Sequence, residues 1–442
     1  MADVGGGHPG GVIVLDDDPT GTQAAAGVPV LLDLDEAALR AWFERHEPGP
    51  VFVLTNTRAL DAGAAEVLVR RVSAVARQSW PDCRFVLRGD STLRGHVGPE
   101  YRGVLADRPL PLLLVPAMPE GGRLTVGGSH VLLRDGELVP LSATEYAGDP
   151  DFGYVSSDLL SWAEERSGGL LPAARGARVA LDQLRSSEGA AVAAALAAIV
   201  PPAVCCVDAT TEHDLELAHA GLEAALAGGL EVIVRAAPPF AALAAGRRAR
   251  SLVTLRRPGA RLLVVAGSYV PLTTRQLAAL ERRRPGTTVE ADPDRLLVDP
   301  GREQARLAGE VASRWSTSGI CVVATPRTPP ARSLVTSGHG RRVAEGLAGL
   351  LDHLAEPPDL IIGKGGVTAA VVARSGLHAN SAWVEGPPRA GLSLWEVGTD
   401  SPDSQDATGV APRDARSELV VFAGNVGGDD TLADLVDGIV AA

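Results

Sequence analysis

The sequence predicts an α/β protein of two domains, each a mostly parallel sheet flanked by helices. Three observations carry this expectation. The chain has 442 residues, more than one ordinary hydrophobic core organises. Short apolar, β-rich runs alternate with segments whose apolar residues recur at helical spacing. A basic stretch, Gly246-Arg-Arg-Ala-Arg250 and Arg256-Arg257-Pro258-Gly259, lies past the middle and reads as a solvated connector rather than a nucleic-acid patch. The expected division is a polar, disordered lead-in at 1–10, a first domain over 11–250 and a second over 251–442.

The elements follow in order. Val12–Leu15, Val28–Leu32, Val51–Leu54, Phe85–Leu87 and Leu112–Val115 read as strands of the first domain, with helices at Glu36–Arg45 and Ala62–Gln78. Residues 127–157 break the rhythm and predict a hairpin, His130–Leu133 and Leu138-Val139, turning at Asp135-Gly136. Strands resume around 178–181, 203–207 and 231–235, between alanine-rich helices at 188–199 and 212–227. The second domain starts with strand Arg261–Val265 and helix Thr273–Leu280. Its later strands are Ile320–Ala324, Leu360–Ile362, Ala382–Val384 and Leu419–Phe422. Residues 398–418, rich in Asp, Ser, Pro and Gly, read as a long mobile surface loop.

Composition excludes several classes. Apolar residues make up 45% and charged residues 21%, as in globular proteins. A net charge of −13 and a pI near 5.2 argue against a general nucleic-acid binder, and 4% aromatics argue against single-strand stacking platforms. No apolar run approaches a membrane span. Cys83, Cys205, Cys206 and Cys321 form no CxxC pair and have no zinc-finger histidines, and Cys205-Cys206 sits in a core-like run. Few cysteines and no signal peptide predict a cytoplasmic protein.

Chemistry concentrates in loops that follow predicted strands, where open α/β sheets bind ligands. Val12–Leu15 delivers Asp16-Asp-Asp-Pro-Thr-Gly-Thr-Gln23. Three adjacent carboxylates are costly to desolvate unless a cation or a donor-rich ligand offsets their repulsion, although one aspartate can serve simply as a helix cap. Arg84–Leu87 delivers Arg88-Gly-Asp-Ser-Thr-Leu-Arg-Gly95, which packs a carboxylate, two hydroxyls, two guanidiniums and two glycines into eight residues. The second half has no G-x-x-x-x-G-K-[ST] sequence, so phosphate binding there falls to other glycine loops. Gly363-Lys-Gly-Gly-Val-Thr368, Gly424-Asn-Val-Gly427 and Gly267-Ser268 each follow a predicted strand. Asp151-Phe-Gly153 spells a protein-kinase triplet without its companion motifs, and Arg88-Gly-Asp90 an adhesion tripeptide in a chain that looks cytoplasmic.

Taken together, Asp17-Asp-Pro-Thr-Gly21, Arg88–Gly95, Val115-Pro-Ala-Met-Pro-Glu-Gly-Gly-Arg123, Ala266-Gly-Ser268, Lys364-Gly-Gly-Val-Thr368 and Phe422-Ala-Gly-Asn-Val-Gly427 resemble, in order, the motifs of the four-carbon acid sugar kinase family. The resemblance covers nearly the whole chain. It implies transfer of the ATP γ-phosphoryl group to a hydroxyl of a short polyhydroxy acid, with the active site in the cleft between the domains. It implies ATP and Mg²⁺ as cofactors, the acid and ATP as the small-molecule partners, and no nucleic-acid or membrane partner; a homodimer is left open. For acid binding it implies Asp17, Asp18, Arg58, Asp90, Ser91 and Arg94. Arg94 and Arg58 are suited to grip a carboxylate, and Asp17 or Asp90 to accept the hydroxyl proton. For ATP it implies Ser268, Gly365, Gly366, Val367, Thr368 and Gly424. The metal ligands are not assigned. Lys364 is either a point cation for phosphate or a solvated side chain at a helix start, and His96 a candidate substrate contact. Arg88 stands where the characterised kinases carry lysine, and Asp16 is an extra leading carboxylate, so the acid need not be threonate or erythronate. A different enzyme on the same scaffold, or a non-catalytic sensor of acid and nucleotide, are the competing readings. The intact carboxylates Asp17, Asp18 and Asp90 speak against a sensor.

Overall fold

The computed structural model describes residues 10–255, 257, 259–267, 269–328, 339–398 and 416–440. The lead-in at 1–9, Ser268 and most of the polar stretch expected as a loop, 399–415, lie outside the described residues. The strands are, in chain order, β1 (Val12–Asp16), β2 (Val28–Leu31), β3 (Pro50–Leu54), β4 (Arg84–Arg88), β5 (Leu112–Val115), β6 (Arg123–Val126), β7 (Ser129–Arg134), β8 (Glu137–Pro140), β9 (Ala177–Val179), β10 (Val204–Val207), β11 (Ile233–Ala236), β12 (Leu262–Ala266), β13 (Thr288–Glu290), β14 (Ile320–Ala324), β15 (Leu360–Lys364), β16 (Ser381–Gly386), β17 (Leu392–Gly398) and β18 (Arg416–Phe422).

Two compact units form. The first takes residues 1–21 and 34–248, the second 22–33 and 249–442. The sequence reading puts residues 22–33 in the first domain; the structure groups them with the second unit. The reason is β2, whose Val28–Leu31 backbone pairs antiparallel with β16. An isolated apolar run shows that a strand forms but not which sheet it joins.

The first unit carries a wholly parallel sheet in the order β3-β1-β4-β11-β5-β10-β9. Its strands are buried along nearly their whole length, as their continuous apolar runs require. Helices cross between them: Glu36–Arg45 starts where the Asp35 side chain accepts from Ala37 N–H at 2.9 Å, and Ala62–Ser79 where Asp61 accepts from Ala64 N–H at 2.8 Å. Helix Glu212–Ala227 opens with a reciprocal Thr211/Asp214 capping box. The expected hairpin is present as β7 and β8, and β6 extends it to a three-stranded antiparallel sheet. Its turn residues Asp135 and Gly136 both have positive φ, +52° and +83°, which a two-residue hairpin of matching twist demands. The expected strand at 178–181 ends at Val179, and Leu181 already begins a helix.

In the second unit β13-β14-β12-β15-β18 run parallel, and β17, β16 and β2 continue the sheet antiparallel. Strand β17 is absent from the sequence reading. It follows the turn Gly386-Pro-Pro-Arg-Ala-Gly391, whose composition hides a strand that is buried on both faces. Helices Pro271–Arg283 and Thr431–Val440 pack one face of the sheet through Leu277, Leu280, Leu432 and Val436. Among the described residues no helix is long and apolar enough to cross a membrane.

Both parallel sheets reverse direction about their first strand. In the first, β3 lies on one side of β1 and β4 on the other; in the second, β14 and β15 flank β12. The crevice outside the carboxyl end of such a strand is where this architecture offers a ligand site.

Candidate functional site

At the carboxyl end of β1 the register places Asp16 beside Leu54 and Arg88. Arg88, only 2% exposed, is the fork around which the loop folds. Its Nε donates to Asp16 Oδ1 at 2.5 Å, Nη1 lies 3.0 Å from Asp17 Oδ1, and Nη2 donates to the Asp18 carbonyl. Gly21 closes over this fork: a Cβ there would meet Arg88 Nε and both Asp16 carboxylate oxygens at 2.2–2.3 Å. Arg58, from the turn after β3, supplies the second guanidinium, 3.2 Å from Asp17 Oδ2 and 3.0 Å from Asp18 Oδ2. Asp18 also accepts from Thr20 N–H at 2.9 Å, so it is the aspartate that caps the 3₁₀ turn Pro19–Ala24.

After β4, Asp90 Oδ2 accepts from Arg94 Nε at 2.7 Å and from the Thr92 hydroxyl, and lies 3.9 Å from Arg58 Nη1. Arg94 also faces Asp149 at 3.6 Å and lies over the Tyr146 ring. Asp17, Asp18, Arg58, Asp90 and Arg94 therefore gather as one ion-paired cluster, with Ser91 buried in the same loop. His96 is tied to the Leu60 carbonyl at 2.9 Å and packs edge-on against Phe152.

The carboxylates differ in character. Burial pushes Asp16 up to about 7 against the pull of Arg88, and pushes Asp17 up to about 6 against Arg58 and Arg88. Burial acts on Asp90 too, but Arg58, Arg94 and the Thr92 hydroxyl outweigh it and hold the group well below the usual carboxylate range. Asp18 is likewise lowered, burial being overridden by Arg58, Arg88 and Thr20. Neither Asp17 oxygen receives an aligned hydrogen bond among the described residues, although both face guanidiniums. Asp17 is thus more basic than Asp18 or Asp90, with lone pairs to offer, while Asp16 is higher still but is bound by Arg88 Nε. Magnesium does not fit as a resident ion here. The aspartates are engaged by guanidiniums, and among the described residues no group of three or more His, Cys, Asp or Glu side chains is placed to hold a metal.

Several supporting residues were not singled out from the sequence. Glu100 and Arg235 form a buried ion pair, and Glu100 also accepts from the Thr57 hydroxyl. Arg235 Nη2 fills the space where Gly89 and Gly95 would carry a Cβ, at 3.1 and 3.2 Å. His130 of β7 bonds the Ser91 carbonyl through Nε2 at 2.9 Å, and Tyr154 donates to the Thr92 carbonyl at 2.9 Å. A carbonyl only accepts, so Nε2 carries the proton and Nδ1, 3.0 Å from Thr125 Oγ1, accepts. Burial lowers the His130 pKa to about 4, keeping the ring neutral. His130, Tyr154 and Arg235 lie too far along the chain from the loop to leave a local sequence signal.

In the second unit the glycine loops sit at the carboxyl ends of the neighbouring strands β12, β15 and β18. Gly365 has φ +113°, and its N–H donates to the Phe422 carbonyl at 2.7 Å. Gly366 opens a short helix, Val367 is partly exposed, and Thr368 is buried with Oγ1 3.2 Å from where Gly267 would carry a Cβ. Gly365, Gly366, Val367, Thr368 and Gly424 are thus brought to one edge; Ser268 lies outside the described residues. Lys364 is not solvated. It is fully buried, its Nζ donates to the Ala423 carbonyl at 2.7 Å and lies 3.6 Å from the Phe422 ring centre, and burial lowers its pKa to about 7.

Comparisons with known proteins match two successive domain models. Residues 12–243 match the model of a sugar-binding N-terminal domain, and residues 263–432 that of a nucleotide-binding C-terminal domain. A D-erythronate kinase from Heliobacterium modesticaldum (strain ATCC 51547 / Ice1) is 30% identical over 337 residues, covering 71% of this chain and 70% of that protein. Among solved structures, a Haemophilus influenzae protein superposes with a TM-score of 0.64 at 15% identity, covering 97% of this chain and 100% of the other. A Salmonella typhimurium LT2 protein, named as a candidate tRNA synthase, superposes with a TM-score of 0.68 at 18% identity, covering 96% and 98%. At such identities these two likenesses speak to the fold alone. With both domain models matched in order and that relative sharing most of its length, the chain belongs to the four-carbon acid sugar kinase family.

Proposed function

We propose that the protein is an ATP-dependent sugar-acid kinase, transferring the γ-phosphoryl group to a hydroxyl of a short polyhydroxy acid. The observation that carries the reading is Asp17: a buried carboxylate pushed up to about 6, free of aligned hydrogen bonds, beside guanidiniums that can take an acid. The D-erythronate kinase relative and the two matched domains support the same chemistry.

In this reading Arg94, with Arg58, pairs with the substrate carboxylate. Asp90 and Asp18 stay ionised and accept hydrogen bonds from substrate hydroxyls. Asp17 takes the proton of the attacking hydroxyl as its oxygen bonds to the γ-phosphorus and the bond to the ADP oxygen breaks. Asp17, rather than Asp90, suits the base, because the ion pairs that hold Asp90 low also make it a weak proton acceptor. The glycine loops at Gly365–Thr368 and Gly424 take the nucleotide phosphates. Magnesium enters with the nucleotide, as Mg–ATP, where phosphate oxygens supply most of its ligands.

The test is ADP formation from Mg–ATP across four- and five-carbon sugar acids and their oxo forms. Acid-dependent ADP release supports the kinase. No release with any acid, together with no thermal shift on adding ATP, removes it.

A further inference from the structure

The segment after β18 is held in an unusual way. Four of its carbonyls accept from buried side chains: Ala423 from Lys364 Nζ at 2.7 Å, Gly424 from Thr273 Oγ1 at 3.2 Å, and Val426 and Gly428 from Gln276 Nε2 at 3.0 and 2.8 Å. Thr273 and Gln276 lie on helix Pro271–Arg283, and all three donor side chains are fully buried. In a trans peptide the carbonyl and the following N–H point in opposite directions. Drawing the carbonyls of Ala423, Gly424 and Val426 inward therefore turns the amides of Gly424, Asn425 and Gly427 outward. None of these three amides has a hydrogen-bond partner among the described residues, and Gly424–Gly427 is half-buried to exposed. Successive outward amides form a concavity suited to an anion.

We propose that Lys364, Thr273 and Gln276 are positioning residues for the nucleotide: they lock the carbonyls of 423–428 inward so that its amides face the polyphosphate. The proposal rests on the nucleotide reading of the second unit. Lys364 works through Ala423 rather than as a direct phosphate cation. Its amine is already directed to a carbonyl and a ring face, and it ties Gly365 and Gly424, the two loop starts, to one strand pair.

Calorimetric titration of the full chain with ADP tests this, using Lys364→Met, which keeps the volume and removes the donor, and Thr273→Val. Lys364→Met should weaken ADP binding about tenfold and Thr273→Val about threefold, as loss of one buried donor implies. The KM for ATP should rise in step, the KM for the acid should stay within about twofold of wild type, and amide exchange should quicken at 423–428 but not at 89–95. A purely structural role would lower stability without this split. Wild-type ADP binding retained by both variants, with unchanged exchange, overturns the proposal and leaves the nucleotide reading standing. No ADP binding by the wild type overturns both. If Lys364→Met does not fold, Thr273→Val alone decides, by the same split.

Discussion

The loops at the ends of the two parallel sheets solve the same problem with opposite chemistry. After β1 and β4 the loops are fixed by charge: Arg58, Arg88 and Arg94 interleave with Asp16, Asp17, Asp18 and Asp90. After β15 and β18 they are fixed by glycine geometry and by donors aimed at backbone carbonyls, with the buried Lys364 among those donors. The difference matches what each region would receive. In the proposed reading, a sugar acid with one carboxylate and several hydroxyls meets fixed charges and a base. In the same reading, a nucleotide would bring its own charge, so amides and close backbone approach would suffice.

Perturbations should separate the two regions. The largest effect falls on Asp17→Asn, which should lower kcat by two to four orders of magnitude, about the range for loss of a general base, while ADP binding stays unchanged. Equal loss of ADP binding would erase the distinction. Arg88→Met leaves Asp16 without its main partner in the interior and Asp17 with Arg58 alone. It should destabilise the first unit by about 3–5 kcal/mol, read as earlier denaturant unfolding, with amide exchange in the second unit near wild type.

The pH dependence sharpens the contrast, because its sign reverses. Asp16 and Asp17 have folded pKa values near 7 and 6 against an ordinary 3.8, so between 3.8 and about 7 the folded chain holds the extra protons and their contribution to stability declines as pH rises. Lys364 has a folded value near 7 against 10.5, so between those values the unfolded chain holds the extra proton and stability rises with pH. Exchange-resolved unfolding at pH 5, 7 and 9 should show the first trend flattened in Asp16→Asn and the second in Lys364→Met. The smallest effect is Tyr154→Phe. Losing one neutral hydrogen bond of about 1 kcal/mol to the Thr92 carbonyl should raise the acid KM roughly fivefold and leave the ATP KM alone.

Sequence and structure agree where the signal is local. Apolar runs located the strands that deliver both acidic loops, and the motif residues Asp17, Asp18, Asp90 and Arg94 converge as their strand-end positions imply. What stayed hidden is long-range. Val28–Leu31 reads as a strand, but only pairing with β16 assigns it to the second unit. Arg88 reads as a departure from a motif, yet it organises three aspartates because a parallel register sets it beside Asp16. His130, Tyr154 and Arg235 act on the 89–95 loop from 39 to 146 residues away, where no spacing rule reaches, and Glu100 acts through Arg235. Lys364 reads as a phosphate cation or a solvated helix start, because periodicity does not report that β15 carries it into the core.

The most direct measurement is kcat/KM for the acid against pH from 4.5 to 8.5, with saturating Mg–ATP and an acid that supports turnover, for wild type, Asp17→Asn and Asp90→Asn, because that ratio reports the groups of the free protein. A catalytic Asp17 predicts a wild-type acid limb near pH 6. It predicts the same limb with a raised acid KM in Asp90→Asn, and turnover near background in Asp17→Asn. Robust turnover in Asp17→Asn with a dead Asp90→Asn would contradict it.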